Sequence, residues 1–299
     1  MARYGASNLG TTNRGRLLMG IVSYAQNFED VILWRALHDV SQGFYIDIGA
    51  QHPIVDSVSK AFYEHGWRGV HVEPTTEHAN LLRADRPDET VIQAVVADHP
   101  GVIHFYEIPG GGLSTARKEI AEEHSKNLDC QIVENLVTAV TLDDVLELAP
   151  GDDIHWLKID VEGFEREVLS GWREAARHPW VIVIEATYPN TQIDTCEQWE
   201  PLVQEKGYML VYQDGLNRFY LSDRHAELQP RFLFPPNVFD GFQLSGTATS
   251  LTRYLTERLD QERVTLRAQQ ADSESQLNAA RTALQSLQAS IDGRDRALT

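Results

Sequence analysis

The feature that most constrains this chain is an alternation that begins at Phe44. Short apolar runs of strand length take turns with amphipathic stretches of helix length. Residues 44–48, 69–73, 90–97, 154–160 and 180–186 read as strands. Their near-continuous apolar character is that of parallel strands covered on both faces. Helical patterns fall at 23–37, 56–65, 76–86, 115–126, 141–148, 163–170 and 197–206. Asp56 and Thr141 are placed as N-caps, and Gly66 closes the second helix. Residues 136–140 read as extended, and Pro109 to Gly112 break the pattern as a mobile loop. Two last strands, 207–212 and 218–222, are joined across Asp214-Gly215 as a hairpin. Such an order predicts an α/β fold: a parallel sheet between helices, with one antiparallel strand inserted at its end.

Composition narrows the partners. The net charge of -18 repels phosphate backbones and anionic lipid heads, which argues against nucleic acid. Two cysteines, Cys130 and Cys196, make neither a disulfide framework nor a zinc cluster, and suit a reducing, cytoplasmic setting. No apolar run approaches the roughly 20 residues that span a bilayer, so any membrane association is peripheral. Residues 17–22 follow Arg14 and Arg16 but are too short for a signal peptide. Residues 1–22 are expected to be loosely attached, and 23–245 to form one domain.

In open sheets of this kind, ligands bind beyond the carboxyl ends of the strands, and these ends carry the charges. Asp47 and Gly49 end the first strand and Glu73 the second. An acidic residue there accepts hydroxyl or amine donors, as the ribose of an adenosine offers. The first turn lacks G-x-G-x-x-G, so a pyrophosphate cradle, and with it a nicotinamide dehydrogenase, is disfavoured. Asp98 follows the third strand, where a further contact to the adenine end would fall. Lys158, Asp160 and Glu162 alternate at the end of a strand otherwise built of Ile, Trp and Leu, and Glu185 ends the most hydrophobic strand. Charges placed so are costly unless they serve a ligand, a proton or a cation. With His52 they form the candidate catalytic set. Whether a base or a divalent ion on Asp160, Glu162 and Glu185 manages a proton stays open at this point.

Four ordered segments carry a resemblance: SYAQNFEDVIL, FYIDIGAQHPIVDSVSKAFYEHGWRGVHVEP, LKIDVEGFEREVLSGW and VIVIEATYP, over about 23–223. They resemble the FkbM-type S-adenosylmethionine (SAM)-dependent methyltransferases. The resemblance implies a Rossmann-like, seven-stranded methyltransferase sheet with helices on both faces. It implies O-methylation, commonly of sugars in polysaccharides, glycolipids or secondary metabolites. Cofactor contacts are implied at Asp47, Gly49 with Ala50, Glu73 with Pro74, and Ala94, Val95 and Asp98, with Gln26 to Asp30 closing over the cofactor. The commonest family form is Asp-x-Gly-Ala-Asn-x-Gly; here its last two positions are His52 and Pro53, the mark of a subgroup. The acceptor expected from the resemblance is a glycan hydroxyl, and no sequence signature names the particular sugar. A small-molecule or lipid acceptor, and a non-catalytic head of a scaffold, are the competing readings.

From about residue 250 the composition shifts to Gln, Glu, Arg, Ala, Ser and Leu. Leu259 and Leu266 stand seven apart, as do Leu277, Leu284, Ile291 and Leu298, with Ala280 and Leu287 at companion positions. A four-residue offset between the two registers is a stutter, and Glu262, Gln269 and Ser273 are polar core positions. Residues 250–299 are expected to begin a coiled coil that self-associates and leads into a longer protein. The competing reading is one amphipathic helix packed on its own domain.

Overall fold

The chain is described here from a computed structural model, which covers residues 20–109, 112–173 and 177–297. Among them, the main sheet is built from β1 (Phe44–Ile48), β2 (Arg68–Val72), β3 (Thr90–Ile92), β4 (Ile154–Ile159), β5 (Pro179–Glu185), β6 (Tyr208–Gln213) and β7 (Asn217–Ser222). Their spatial order is β3-β2-β1-β4-β5-β7-β6. The first five pair in parallel, whereas β7 runs antiparallel to both β5 and β6. The order reverses between β1 and β4, and a crevice at the carboxyl ends opens at such a switch point.

The helices are α1 (Glu29–Leu37), α2 (Val58–Glu64), α3 (Thr76–Asp85), α4 (Lys118–Leu128), α5 (Leu142–Leu146), α6 (Glu165–Ser170) and α7 (Glu200–Glu205). Successive strand residues alternate between two cores. Ile46, Leu157 and Ile182 enter one core with Leu146 of α5, Val168 of α6 and Val203 of α7. Tyr45, Trp156 and Val183 enter the other with Leu33 of α1 and Phe62 of α2. The rings of Tyr45 and Trp156 stack at 4.6 Å. Being two residues further on, Asp47, Lys158 and Glu185 fall on the α1–α2 face, at the carboxyl ends.

The structure departs from the sequence expectations in several places. Residues 90–97 are two strands. After Ile92 the chain leaves the main sheet, and Val95–Ala97 pairs with Val133–Thr141 in a separate three-stranded sheet completed by Gly101–Glu107. Moving there keeps Val96 in the first core, against α5 and α6. The first helix does not start at Ser23. Val22–Ser23 pairs with Gln243–Leu244, and the chain folds back before α1 because the buried Asp30 carboxylate accepts from Ser23 Oγ, Tyr24 N and Ala25 N at 2.8, 2.7 and 3.2 Å. Asp56 does not cap α2: it has φ 54°, and Ser57 occupies the cap position. Thr141 does cap α5, in a reciprocal capping box with Asp144.

Of the segment expected to be loose, residues 1–19 lie outside the described residues, while Ile21 is buried. Gly110 and Gly111 of the expected mobile loop also lie outside them. The first compact unit ends at Ala248. The second carries one continuous helix, α8 (Thr249–Ala297), along which Leu259, Leu266, Leu277 and Leu284 are exposed. No described helix is long and apolar enough to cross a membrane.

Candidate active site

The ends of β1, β2 and β4 are tied to one another by backbone. Asp160 N donates to Ile48 O at 3.1 Å, Gly49 N to Val72 O at 2.9 Å, and Glu73 N to Ile92 O at 3.0 Å. Gly49 has φ 79°, and a Cβ placed on it would stand 1.7 Å from the carbonyl oxygen of Asp160. The resemblance implied this glycine as a cofactor contact. The structure shows that the neighbouring strand already requires it.

Asp47 and Glu73 are both buried, at adjacent strand ends. Asp47 Oδ2 accepts from Ser59 Oγ at 2.6 Å. Glu73 accepts from Gln51 N at 3.0 Å and from Thr75 N at 2.8 Å, so its carboxylate also shapes the turn after β1; burial raises its pKa. The two acidic groups offer acceptors, which suit the hydroxyl and ammonium donors of an adenosyl amino acid and not a phosphate. Beside them Ala50 is buried and Pro74 half-buried, and Ala94 and Val95 are buried. Gln26 is exposed on the segment that bridges, through Ala25, to Asp56.

Asp98 is not brought to this edge. Its side chain pairs with His99 in solvent, and its carbonyl accepts from Arg173 Nη2, beyond the C-terminal end of α6. The chain between Ile92 and Asp98 leaves the main sheet, with Val95–Ala97 pairing with Val133–Thr141. His52 is committed elsewhere too. Its Nδ1 accepts from Ile54 N and Val55 N, each at 3.0 Å, so the ring proton sits on Nε2 and the imidazole ties the loop together. Burial, then the nearby His78, lowers its pKa. The loop is also fixed from outside by Arg86, fully buried, which donates to Pro53 O at 2.7 Å and to Ser57 Oγ and Ser59 Oγ.

The remaining charges converge. Lys158 Nζ donates to Asp160 Oδ2 at 2.5 Å. Burial alone would lower the lysine pKa, but Asp160, Asp47 and Glu29 together raise it, so the ammonium is retained. Glu162 follows with φ 53°, held by Thr115 Oγ1 donating to its carbonyl at 2.9 Å. Glu185 ends β5 opposite Asn217. Asp160, Glu162 and Glu185 each place a carboxylate oxygen within 4.8 Å of the others. Burial, then the charge of Asp160, pushes Glu162 and Glu185 well above the ordinary carboxylate range. Two further acids, not singled out in the sequence, stand at the rim. Glu29 accepts from Asn217 Nδ2 at 2.8 Å, and burial pushes it up to about 7. Glu165, at the start of α6, is also pushed by burial to about 7. Glu165 borders a cavity of about 310 Å³, lined also by Arg117, Ile120, Tyr188, Thr195 and Trp199.

A family model described as the methyltransferase FkbM domain matches residues 47–210. No curated protein matches the chain. Solved structures similar to it include a TehB-like SAM-dependent methyltransferase from Corynebacterium glutamicum, with 7% identity and a TM-score of 0.36 over 64% of this chain and 88% of that one. A protein of Methanococcus maripaludis described as a SAM-dependent methyltransferase gives 11% and 0.35 over 65% and 84%. The O-methyltransferase NovP gives 10% and 0.31 over 66% and 79%. Likenesses this slight carry no argument about activity; the family match does.

Proposed function

This chain belongs to the FkbM methyltransferase family, and from that premise we propose that it transfers the methyl group of SAM to a sugar hydroxyl of a glycan. The methyltransferase activity and the SAM cofactor come with the family; the acceptor is our reading. The observation that carries it is the convergence of Lys158, Asp160, Glu162 and Glu185 at the switch-point edge, beside the acceptor-only pair Asp47 and Glu73.

The bound cofactor would supply an electrophilic methyl group on a sulfonium, for in-line displacement by the acceptor oxygen. Asp47 and Glu73 would hold its amine and hydroxyl donors. Asp160, fixed by Lys158 through Oδ2, would accept the proton of the acceptor hydroxyl. Asn217 and Asn27 N keep Glu29 turned toward the same edge from α1. The cavity beside Glu165 supports an acceptor of glycan type, because Tyr188 offers an aromatic wall and Thr195 Oγ1 is a buried donor without a partner. Radiolabelled methyl transfer onto a panel of glycans, small alcohols and lipids tests this reading. Incorporation confined to the non-glycan acceptors would overturn it.

Glu73→Ala is expected to weaken SAM by about 1.5–3 kcal/mol, through loss of a ribose contact and slackening of the turn at Gln51. Calorimetry checks it, and an unchanged affinity in a folded variant would remove Glu73 from the cofactor site.

We further propose that α8 pairs chains as a coiled coil, and that the enzyme works on a surface polysaccharide presented at the inner face of a membrane. Exposure of Leu259, Leu266, Leu277 and Leu284 along one 49-residue helix supports the first part. Sedimentation equilibrium should give an oligomer for the whole chain and a monomer for residues 1–248. Monomers for both at tens of micromolar would sink the self-association.

A further inference from the structure

The carboxylate cluster holds more acid than its surroundings balance. Among the described residues, Lys158 is the one cation in ion-pair reach of Asp160, Glu162 or Glu185, and it contacts Asp160 alone. Glu185 is 8% exposed, and its Oε2 is buried with no hydrogen-bond partner; Glu162 Oε2 is in the same condition. Buried polar atoms left bare are rare in folded proteins, and an ion is one of the few explanations for them. A proton shared between the two bare oxygens is the competing occupant, and it predicts no binding of Mn²⁺. A cation seated among the three side chains satisfies both.

The donor set identifies the ion. The ligand atoms are carboxylate oxygens, with no sulfur or imidazole nitrogen in the cluster. Such a site suits a hard divalent ion and not zinc. The three oxygens lie within 4.8 Å of one another, and ligands set about 90–120° apart around one ion at about 2.1 Å stand about 3.0–3.6 Å apart, so the side chains would close slightly on the ion. The Asp160 side chain is 27% exposed, so the cluster opens to solvent on that side.

We propose that Asp160, Glu162 and Glu185 bind a divalent cation, Mg²⁺ or Mn²⁺, with a coordination position open beside Asp160. Its use in catalysis rests on the methyltransferase reading above: an acceptor hydroxyl taking the open position would lose its proton more readily. The binding itself does not rest on that reading.

The test uses the full chain, stripped with a chelator and titrated with MnCl2, with free Mn²⁺ followed by electron paramagnetic resonance. One Mn²⁺ bound per chain, displaced by excess MgCl2, is expected, together with a higher melting temperature in Mn²⁺. Glu162→Gln and Glu185→Gln keep side-chain shape and should each weaken Mn²⁺ at least tenfold, with circular dichroism unchanged. Should either variant misfold, the titration and melting of the wild-type chain decide alone. No binding of Mn²⁺ or Mg²⁺ by the wild type up to millimolar concentration overturns the site, as does wild-type affinity in both folded variants. SAM calorimetry on the same stripped samples separates the two readings. SAM binding and methyl transfer that persist without any Mn²⁺ binding remove the cation and leave the methyltransferase intact. Mn²⁺ binding without SAM binding leaves the site and overturns the catalytic reading.

Discussion

Asp160→Asn is expected to lower methyl-transfer turnover by about 100-fold or more while leaving SAM affinity within a few-fold of the wild type. The substitution preserves shape, and Lys158 Nζ retains an oxygen to donate to. What is lost is the negative charge that takes up the acceptor proton or holds a cation. Lys158 keeps Asp47 and Glu29 as partners in charge, so the fold should survive. Steady-state turnover and SAM calorimetry on one preparation check the two halves. Near-normal turnover would move the role to Glu185, and loss of SAM binding would make Asp160 part of the cofactor site.

Among the described glycines, Gly49 is the one at which an added methyl meets backbone most closely, so Gly49→Ala should be strongly destabilising. The new Cβ would meet the Asp160 carbonyl at 1.7 Å, and that carbonyl is backbone between two sheet strands, unable to swing aside. A positive φ adds about 1 kcal/mol on its own, and the clash must be relieved by spreading β1 from β4. A loss of about 3 kcal/mol or more is expected, lowering the melting temperature by roughly 6–12 °C. Gly66→Ala is the internal control: its φ is 86°, yet nothing lies within 4 Å of the added carbon. It should cost only the backbone part, about 1 kcal/mol. Equal losses at both positions, measured by urea unfolding, would show that the contact between strand ends is unimportant.

The sheet and most of its strand ends were legible in the sequence because parallel strands covered twice are apolar throughout. An Asp or Glu that interrupts such a run then stands out, as Asp47, Asp160 and Glu185 did. The strand Gly101–Glu107 was not legible, since three of its seven residues are exposed and its apolar positions do not alternate. The departure of the chain at Ile92 left no mark either; 90–97 is a plausible strand until Val133–Thr141 competes for its second half. Arg86 and Glu165 were missed because each reads as an ordinary charge near a helix end, and Glu29 because it fell within a stretch read as helix and was implied only as part of a segment closing over the cofactor. The partners of Glu29 and Arg86, such as Asn217 and Pro53, are brought near only by folding. His52 shows the reverse case: a histidine placed beside a glycine turn looked chemical, and its Nδ1 turned out to serve two backbone amides.

The pairing of β1 with β4 bears on how the molecule is made. Ile46 lies opposite Leu157, about 110 positions later in the chain. During synthesis β1, β2 and β3 are complete long before β4 leaves the ribosome, so one long edge of β1 waits without a partner. Contacts this distant in sequence also form slowly once the chain is free. A bare apolar edge invites pairing with a neighbouring nascent chain, and an inward-pointing charge is a known deterrent. Asp47, next to last in the otherwise apolar Phe44–Ile48, is placed to supply one. The carboxylate proposed to hold the cofactor would thus protect the half-made sheet first, and its replacement by an apolar residue would appear as aggregation during expression before it appeared as lost activity.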